Sequence, residues 1–422
     1  MNQVKIEKYY KIAKEKYEGL GVDTEKALKI LEKISISIHC WQGDDVGGFE
    51  TPNAALEGGG ILATGNYLGK ARSIKELQID IEKAISLIPG NHRVNLHAIY
   101  GDFKDKFIDR NKITVEHFQT WIDWAKKNNL KLDFNPTLFS HPKAQSGYTL
   151  SNKSQEIRDF WIQHIQQCRE ISVEIGKQLK DTVIHNIWIP DGSKDMPVDR
   201  AGHRLLLENS LDRIFDQKLD RSYILDSLEG KLFGIGSEAF VVGSYDFYLG
   251  YAIKHNLMLT LDSGHFHPTE SIADKISAIL PFIGGLLLHI SRGVRWDSDH
   301  VVILNDEIYQ IAQEIVRSKA LHKLYVALDF FDASINRIGA WVIGARSTLK
   351  SILFALLEPW DLLKEFEEKE KYFQRLAYLE ELKGFPFGVV WDYYCFKKDV
   401  PISDMWIKEV ENYEKEVLKN RD

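Results

Sequence analysis

At 422 residues, with 44% hydrophobic and 27% charged content, the chain has the composition of a water-soluble globular protein and can bury one large core or two ordinary ones. A formal net charge of −7 argues against nucleic acid or an anionic membrane as the main partner, because phosphate binding needs clustered Lys and Arg. Cys40, Cys168 and Cys395 are far apart and show no CxxC spacing, so they read as reduced structural thiols of a cytoplasmic protein.

Residues 2–19 and 23–34 have helical spacing, with Asp23 or Thr24 as N-cap of the second helix. Lys5, Glu7, Lys8, Lys11, Lys14, Glu15 and Lys16 make this opening too charged for a signal peptide. Residues 34–41 alternate as a first strand and open into a Gly-rich loop, 42–69. Further β-rich runs follow at 93–100, 131–135, 182–189, 223–229, 257–262, 285–291 and 323–329, separated by helical stretches. The longest apolar run, 276–290, is too short to span a bilayer and contains Pro281, Gly284 and Gly285. It reads as a helix end running into a buried strand. Eight strands alternating with helices predict an α/β fold, a (β/α)₈ TIM barrel whose active site lies at the C-terminal ends of its strands. The expected organisation is a barrel with N-terminal helices over residues 1–335. A C-terminal helical extension, 336–422, packs on the barrel or on a neighbouring subunit.

Chemistry gathers at those strand ends. Glu229, Asp262, His289 and Asp329 close four consecutive apolar runs, offering three carboxylates and one imidazole to a divalent metal. Any one of them alone is as well read as a strand-end cap or an ion pair; four in succession point to a shared ion. His265, Asp297 and Asp299 form a second set. In an extended segment the i and i+2 carboxylates share one face and could reach a second ion, the plainer reading being a solvated acidic loop. Lys231, two residues after Glu229, could steady a developing oxyanion or simply balance charge. His97, Asn135, His185 and Trp188 read as mouth positions on strands two to four, and Trp41, Phe139 and Trp188 could line a sugar pocket with their ring faces.

Gly234, Gly236 and Ala239 match the spacing of a dinucleotide fingerprint, but Gly243 interrupts the helix that should follow, and Asp262 leads into a metal-like loop. The run Gly58, Gly59, Gly60 lacks the Lys-Ser/Thr of a phosphate-binding loop and reads as a flexible lid.

Taken together, the segments HCWQGDD (39–45), NLHAIYGDF (95–103), DFNPTLFSHPKA (133–144), IWIPDGSKDMPVDR (187–200), LEGKLFGIGSE (228–238), LDSGHFHPTE (261–270), HISRGVRWDSDHV (289–301) and ALDFFDASINRIGAWVIG (327–344) closely resemble L-rhamnose isomerase. The resemblance implies a TIM-barrel homotetramer that interconverts L-rhamnose and L-rhamnulose with Mn²⁺. It implies a structural metal at Glu229, Asp262, His289 and Asp329 and a catalytic metal at His265, Asp297 and Asp299. By the same matching Lys231, His97 and Trp188 contact or orient the sugar, and the loop near Phe49 reaches a neighbouring subunit's pocket. The related xylose isomerases carry Glu-x-Lys-Pro; here Leu232 follows Lys231, so that family fits less well.

The expected chemistry is hydrogen transfer between C2 and C1 of the open-chain aldose at two divalent ions, Mn²⁺, Co²⁺, Mg²⁺ or Zn²⁺ all suiting the donor set. The hydrogen travels as a hydride, or as a proton through an enediol with Asp329 or a metal-bound hydroxide as base. Two competitors remain at this stage besides an isomerase for another aldose. A metal-dependent hydrolase or phosphoesterase would need mouth cations such as Lys231, Arg292 or Arg295. A non-catalytic sugar-binding protein would use its metals only as staples.

Overall fold

The computed structural model describes residues 3–50, 63–104, 106–231, 239–294 and 296–421, the side chains of residues 3 and 296–298 excepted. Eight parallel strands close into one barrel: β1 (Ile36–His39), β2 (Arg93–His97), β3 (Lys131–Asn135), β4 (Val183–Trp188), β5 (Ile224–Glu229), β6 (Met258–Asp262), β7 (Leu286–Ile290) and β8 (Leu324–Leu328). Each pairs with its sequence neighbours, and β8 returns to β1 with Ile36 beside Val326. All eight strands read from the sequence are present, and the (β/α)₈ architecture is the one expected.

Helices Ile74–Ile85, Gln119–Lys127, Gln155–Leu179, Arg200–Phe215, Tyr245–His255, Ile272–Ile279 and Asp306–Arg317 connect successive strands. Local chemistry sets their limits. Asn305 Oδ1 accepts from Ile308 N at 3.1 Å to start one helix, and Asn256 in the left-handed region (φ 53°) stops another before β6. The apolar run at 276–290 divides as expected, into the end of helix Ile272–Ile279 and strand β7. Helix Arg337–Leu356 lies on β1 and on helices Ile74–Ile85 and Asp306–Arg317. Its fully buried Trp341 donates from Nε1 to the His39 carbonyl at 2.9 Å, and truncating such a residue to Ala typically costs about 3–5 kcal/mol.

Helices Trp360–Glu368, Tyr372–Leu382, Phe387–Lys397 and Met405–Glu416 follow. The N-terminal helices, Gln3–Glu18 and Thr24–Leu31, start and stop within a few residues of their expected bounds, and Asp23 caps the second through Lys26 N at 3.0 Å. Gln3–Glu18 docks on Phe387–Lys397, where Tyr10 and Tyr393 stack with centroids 3.6 Å apart. Among the described residues no single helix is long and apolar enough to cross a membrane.

The period-two geometry of strands stacks inward side chains in levels. At the N-terminal mouth these are Ser37, Arg93, Asp133, Ile184, Leu287 and Tyr325. A polar level above contains Asn95, Asn135, Asn186, Ser227 and Thr260, joined by hydrogen bonds. His185 points the other way: outside the barrel its Nδ1 lies 2.9 Å from Asp226 Oδ1, and Asp226 also takes Arg169 of helix Gln155–Leu179 at 3.0 Å. The mouth position assigned to His185 is thus corrected. In a strand buried on both faces, polar His185 and Asn186 stand side by side between apolar pairs, and no alternation reveals which of them faces the barrel interior.

Candidate metal centre and sugar pocket

Parallel pairing puts the strand-end side chains at one height. Asp262 is in register with His289, His289 with Ala327 two residues before Asp329, and Trp188 with Glu229. His289 Nδ1 therefore lies 3.2 Å from Asp329 Oδ2, 3.5 Å from Glu229 Oε2 and 3.7 Å from Asp262 Oδ2. Glu229, Asp262, His289 and Asp329 each bring one donor atom to within 4.8 Å of the others, the four-residue set anticipated from the sequence.

A second group shares Asp262 and adds His265 and Asp299 under the same limit. His265 Nδ1 is 3.0 Å from Glu229 Oε1, and its Nε2 is 3.8 Å from Asp299 Oδ1. The backbone at Trp296–His300 is extended, as the i, i+2 reading requires, but the Asp297 side chain lies outside the described residues. The sharing of Asp262 between the two groups was not foreseen; only the turn after β6, which brings His265 back over it, reveals it. Gly264 makes that turn possible, since a Cβ there would fall 2.6 Å from Ser291 Oγ.

One oxygen of each carboxylate is already committed. Asp262 Oδ1 accepts from Gly264 N (2.6 Å) and Ser291 Oγ (2.9 Å), Asp329 Oδ1 from Trp41 Nε1 (3.0 Å), and Glu229 Oε2 from Asn186 Nδ2 (2.6 Å). Asp262 Oδ2 and both ring nitrogens of His289, all buried, have no hydrogen-bond partner among the described residues. Orphaned buried polar atoms each cost about 1–3 kcal/mol, so their convergence marks a place for an ion.

The electrostatics carry the same message. Burial pushes the Asp262 carboxyl up to about 7, with Asp329 and Glu229 adding to it against the pull of His265 and His289. Burial likewise opposes charge on Glu229 and Asp329, yet His289, joined at Glu229 by His265, outweighs it and holds both below the usual carboxylate range. For His289 burial disfavours the cation, but Glu229 and Asp329 raise it well above an ordinary imidazole. The site compensates three carboxylates with whatever positive charge is at hand, and mixed carboxylate–imidazole donors suit Mn²⁺, Co²⁺, Mg²⁺ or Zn²⁺.

Above the cluster a pocket with about 470 Å³ of empty space, open mouth included, is lined by Trp41, His97, Phe139, Trp188, Lys231 and Asp299, with the metal-type ligands on its floor. Asn135 lines it as well, and Val46, Asn186 and Phe331 join it without having been singled out. Burial lowers the His97 imidazole to about 4 and keeps it neutral; its Nδ1 lies 3.1 Å from Thr137 Oγ1. The Lys231 ammonium sits 4.8 Å over the Trp188 ring. Phe49 packs edge-on against Tyr100. Arg292 Nε is engaged with the Val301 carbonyl at 3.0 Å and does not line the pocket. Arg295, Leu232, the Gly58–Gly60 run and the Gly234/Gly236 fingerprint lie outside the described residues.

Residues 4–421 match the family described as L-rhamnose isomerase (RhaA). Proteins named L-rhamnose isomerase from Listeria innocua serovar 6a, Mannheimia succiniciproducens and Bacteroides thetaiotaomicron are 53%, 54% and 53% identical over 419, 416 and 416 residues. In each case 99% of this chain and 99% of the relative are covered. With sequence likeness running through every strand that builds the site, this chain belongs to the L-rhamnose isomerase family of aldose–ketose isomerases, which are intramolecular oxidoreductases.

Proposed function

We propose that the chain interconverts L-rhamnose and L-rhamnulose at two divalent ions, Mn²⁺ by preference, with hydrogen passing between C2 and C1 of the open-chain sugar. The observation that carries the metal reading is the convergence of unpartnered Asp262 Oδ2 and both His289 ring nitrogens with Glu229 and Asp329. Glu229, Asp262, His289 and Asp329 would hold one ion; His265, Asp297 and Asp299, with Asp262 between the two groups, would hold the other. When bound, the ions would supply Lewis acidity that polarises the C1 carbonyl and acidifies the C2 hydroxyl.

The chain's own residues do the rest. Lys231, held over Trp188, offers its charge to the sugar oxygen that becomes negative. His97 meets the sugar as a neutral ring, and Trp41, Phe139 and Trp188 cover its C–H faces. Asp329, kept ionised by His289, is the proton acceptor at C2 if the hydrogen leaves as a proton. Substantial deuterium from D₂O appearing at C1 of the ketose would rule out a pure hydride shift.

We place the enzyme in the cytoplasm, in accord with its three buried free cysteines, and assemble it as a homotetramer. We divide it after residue 335 into a barrel with N-terminal helices and an extension. The extension's exposed Tyr372, Phe373 and Leu376 would meet another subunit. The test is ketose formation from L-rhamnose by EDTA-stripped protein. Turnover is expected only after Mn²⁺ is added; folded protein inactive with Mn²⁺, Co²⁺, Mg²⁺ and Zn²⁺ alike would overturn the reading.

A further inference from the structure

Beneath Glu229 a file of buried polar side chains crosses three strands. Ser227 Oγ lies 2.7 Å from Thr260 Oγ1, Thr260 Oγ1 lies 2.7 Å from Asn186 Oδ1, and Asn186 Nδ2 reaches Glu229 Oε2 at 2.6 Å. Ser227 and Thr260 are at most 1% exposed and Asn186 is 3%. Barrel interiors are usually filled at such levels by branched apolar residues, and three polar side chains there are tolerable only when fully bonded.

Hydrogen counting allows one direction. An ionised Glu229 only accepts, so Asn186 turns its amide N–H toward it. The Asn186 carbonyl then faces Thr260, whose single O–H must be donated there. Thr260 Oγ1 is left as an acceptor, and Ser227 becomes the donor at the far end. The amide cannot flip without breaking two bonds, and Glu229 cannot turn without losing its charge-assisted one.

We infer that Ser227, Thr260 and Asn186 form a positioning relay that fixes the Glu229 carboxylate for the ion it holds. The inference rests on the reading of Glu229 as a metal ligand. Asp262 and Asp329 have their non-ligating oxygens pinned by donors from the rim, Gly264 N, Ser291 Oγ and Trp41 Nε1. Glu229 differs: its support is the strand interior itself, reaching one level down the barrel. Thr260 pairs with Glu229 only through the backbone register of neighbouring strands; the Thr260 and Ser227 hydroxyls bond to each other and to Asn186, and neither residue lines the pocket, so they are positioning residues that act through Asn186.

The test is Thr260→Val, which keeps the shape and removes the O–H, with Thr260→Ser restoring the donor. Calorimetric titration of stripped protein with Mn²⁺ is expected to show affinity about 10- to 100-fold weaker for T260V, the usual size for partners that orient metal ligands. T260S should recover it. The kcat on L-rhamnose should fall with T260V while KM stays near wild type. Ser227→Ala, one bond further from the carboxylate and cutting no packing of consequence, should shift the affinity in the same direction by less. A role in packing alone predicts lower melting temperatures with Mn²⁺ affinity and kcat unchanged in T260V and S227A; that result overturns the relay. Stripped wild type that binds no divalent ion would instead overturn the metal reading, and the inference with it.

Discussion

At the N-terminal mouth of the barrel, Asp133 accepts from Ser37 Oγ (2.6 Å), Arg93 Nε and Nη2 (2.9 and 2.7 Å) and Ile184 N (2.9 Å), while Arg93 also pairs with Asp181. At the C-terminal mouth, Asp262, Glu229 and His289 are as deeply placed and Asp329 is half-buried, but their atoms point at one another with lone pairs left over. Similar residue types, buried at opposite ends of one set of strands, thus reach opposite states. Where every lone pair meets a donor, buried charge acts as cement. Where like charges converge around a gap, the protein keeps a receptacle that could hold a positive ion. Burial by itself distinguishes nothing; completeness of pairing does.

The strongest way to break the comparison is Asp262→Asn. Its Mn²⁺-dependent kcat/KM on L-rhamnose should fall by about 10³-fold or more, since a Lewis-acidic ion is worth several kcal/mol. The melting temperature of the stripped protein should not fall, because one carboxylate fewer relieves the crowding. Retained turnover would place the ion elsewhere. Asp133→Ala should do the reverse: about 3–5 kcal/mol of stability lost in denaturant unfolding as Arg93 loses its best partner, with kcat near wild type in the folded fraction. A stable D133A would show that the lower network is ornament.

Asp44 sharpens the contrast with the smallest effect. It accepts from Tyr100 Oη and Gly48 N at 2.7 Å, yet burial pushes its carboxyl up to about 7. Its folded-state pKa thus exceeds the unfolded value of about 3.8, so the fold binds the proton more tightly. The stability it contributes is full below about pH 4 and is lost as pH rises toward 7. Asp44→Asn should flatten that limb of the melting curve against pH and raise Tm at pH 8 by roughly 2–4 °C. An unchanged slope would mean that Asp44 is as well compensated as Asp133.

Much of this was legible in one sequence because barrel strands announce themselves as apolar runs and the chemistry sits within a residue of their C-terminal ends. Glu229, Asp262, His289 and Asp329 needed only that regularity. Residues whose role depends on the neighbouring strand were hidden. Asn186 and Thr260 are 74 positions apart, and Trp41 and Asp329 288; nothing local says that they bond. The polar letters in the strands at 186, 227 and 260 were the available signal. The antiparallel pairing of Gly192–Ser193 with Phe240–Val241 is too short for any period-two pattern to show.

The stack of Tyr10 on Tyr393 has a consequence for biosynthesis. At roughly 5–20 residues per second, a ribosome needs about 20–80 seconds to travel from one to the other. Over that time helix Gln3–Glu18 presents Tyr10, Ala13 and Tyr17, buried in the finished protein, to the surroundings of the nascent chain. Strand β1 also waits, for β8. Maturation is therefore a late event in which barrel seam and helical clasp shut almost together. A chain halted before residue 387 would lack the docking partner of its earliest helix and leave that helix's apolar face uncovered.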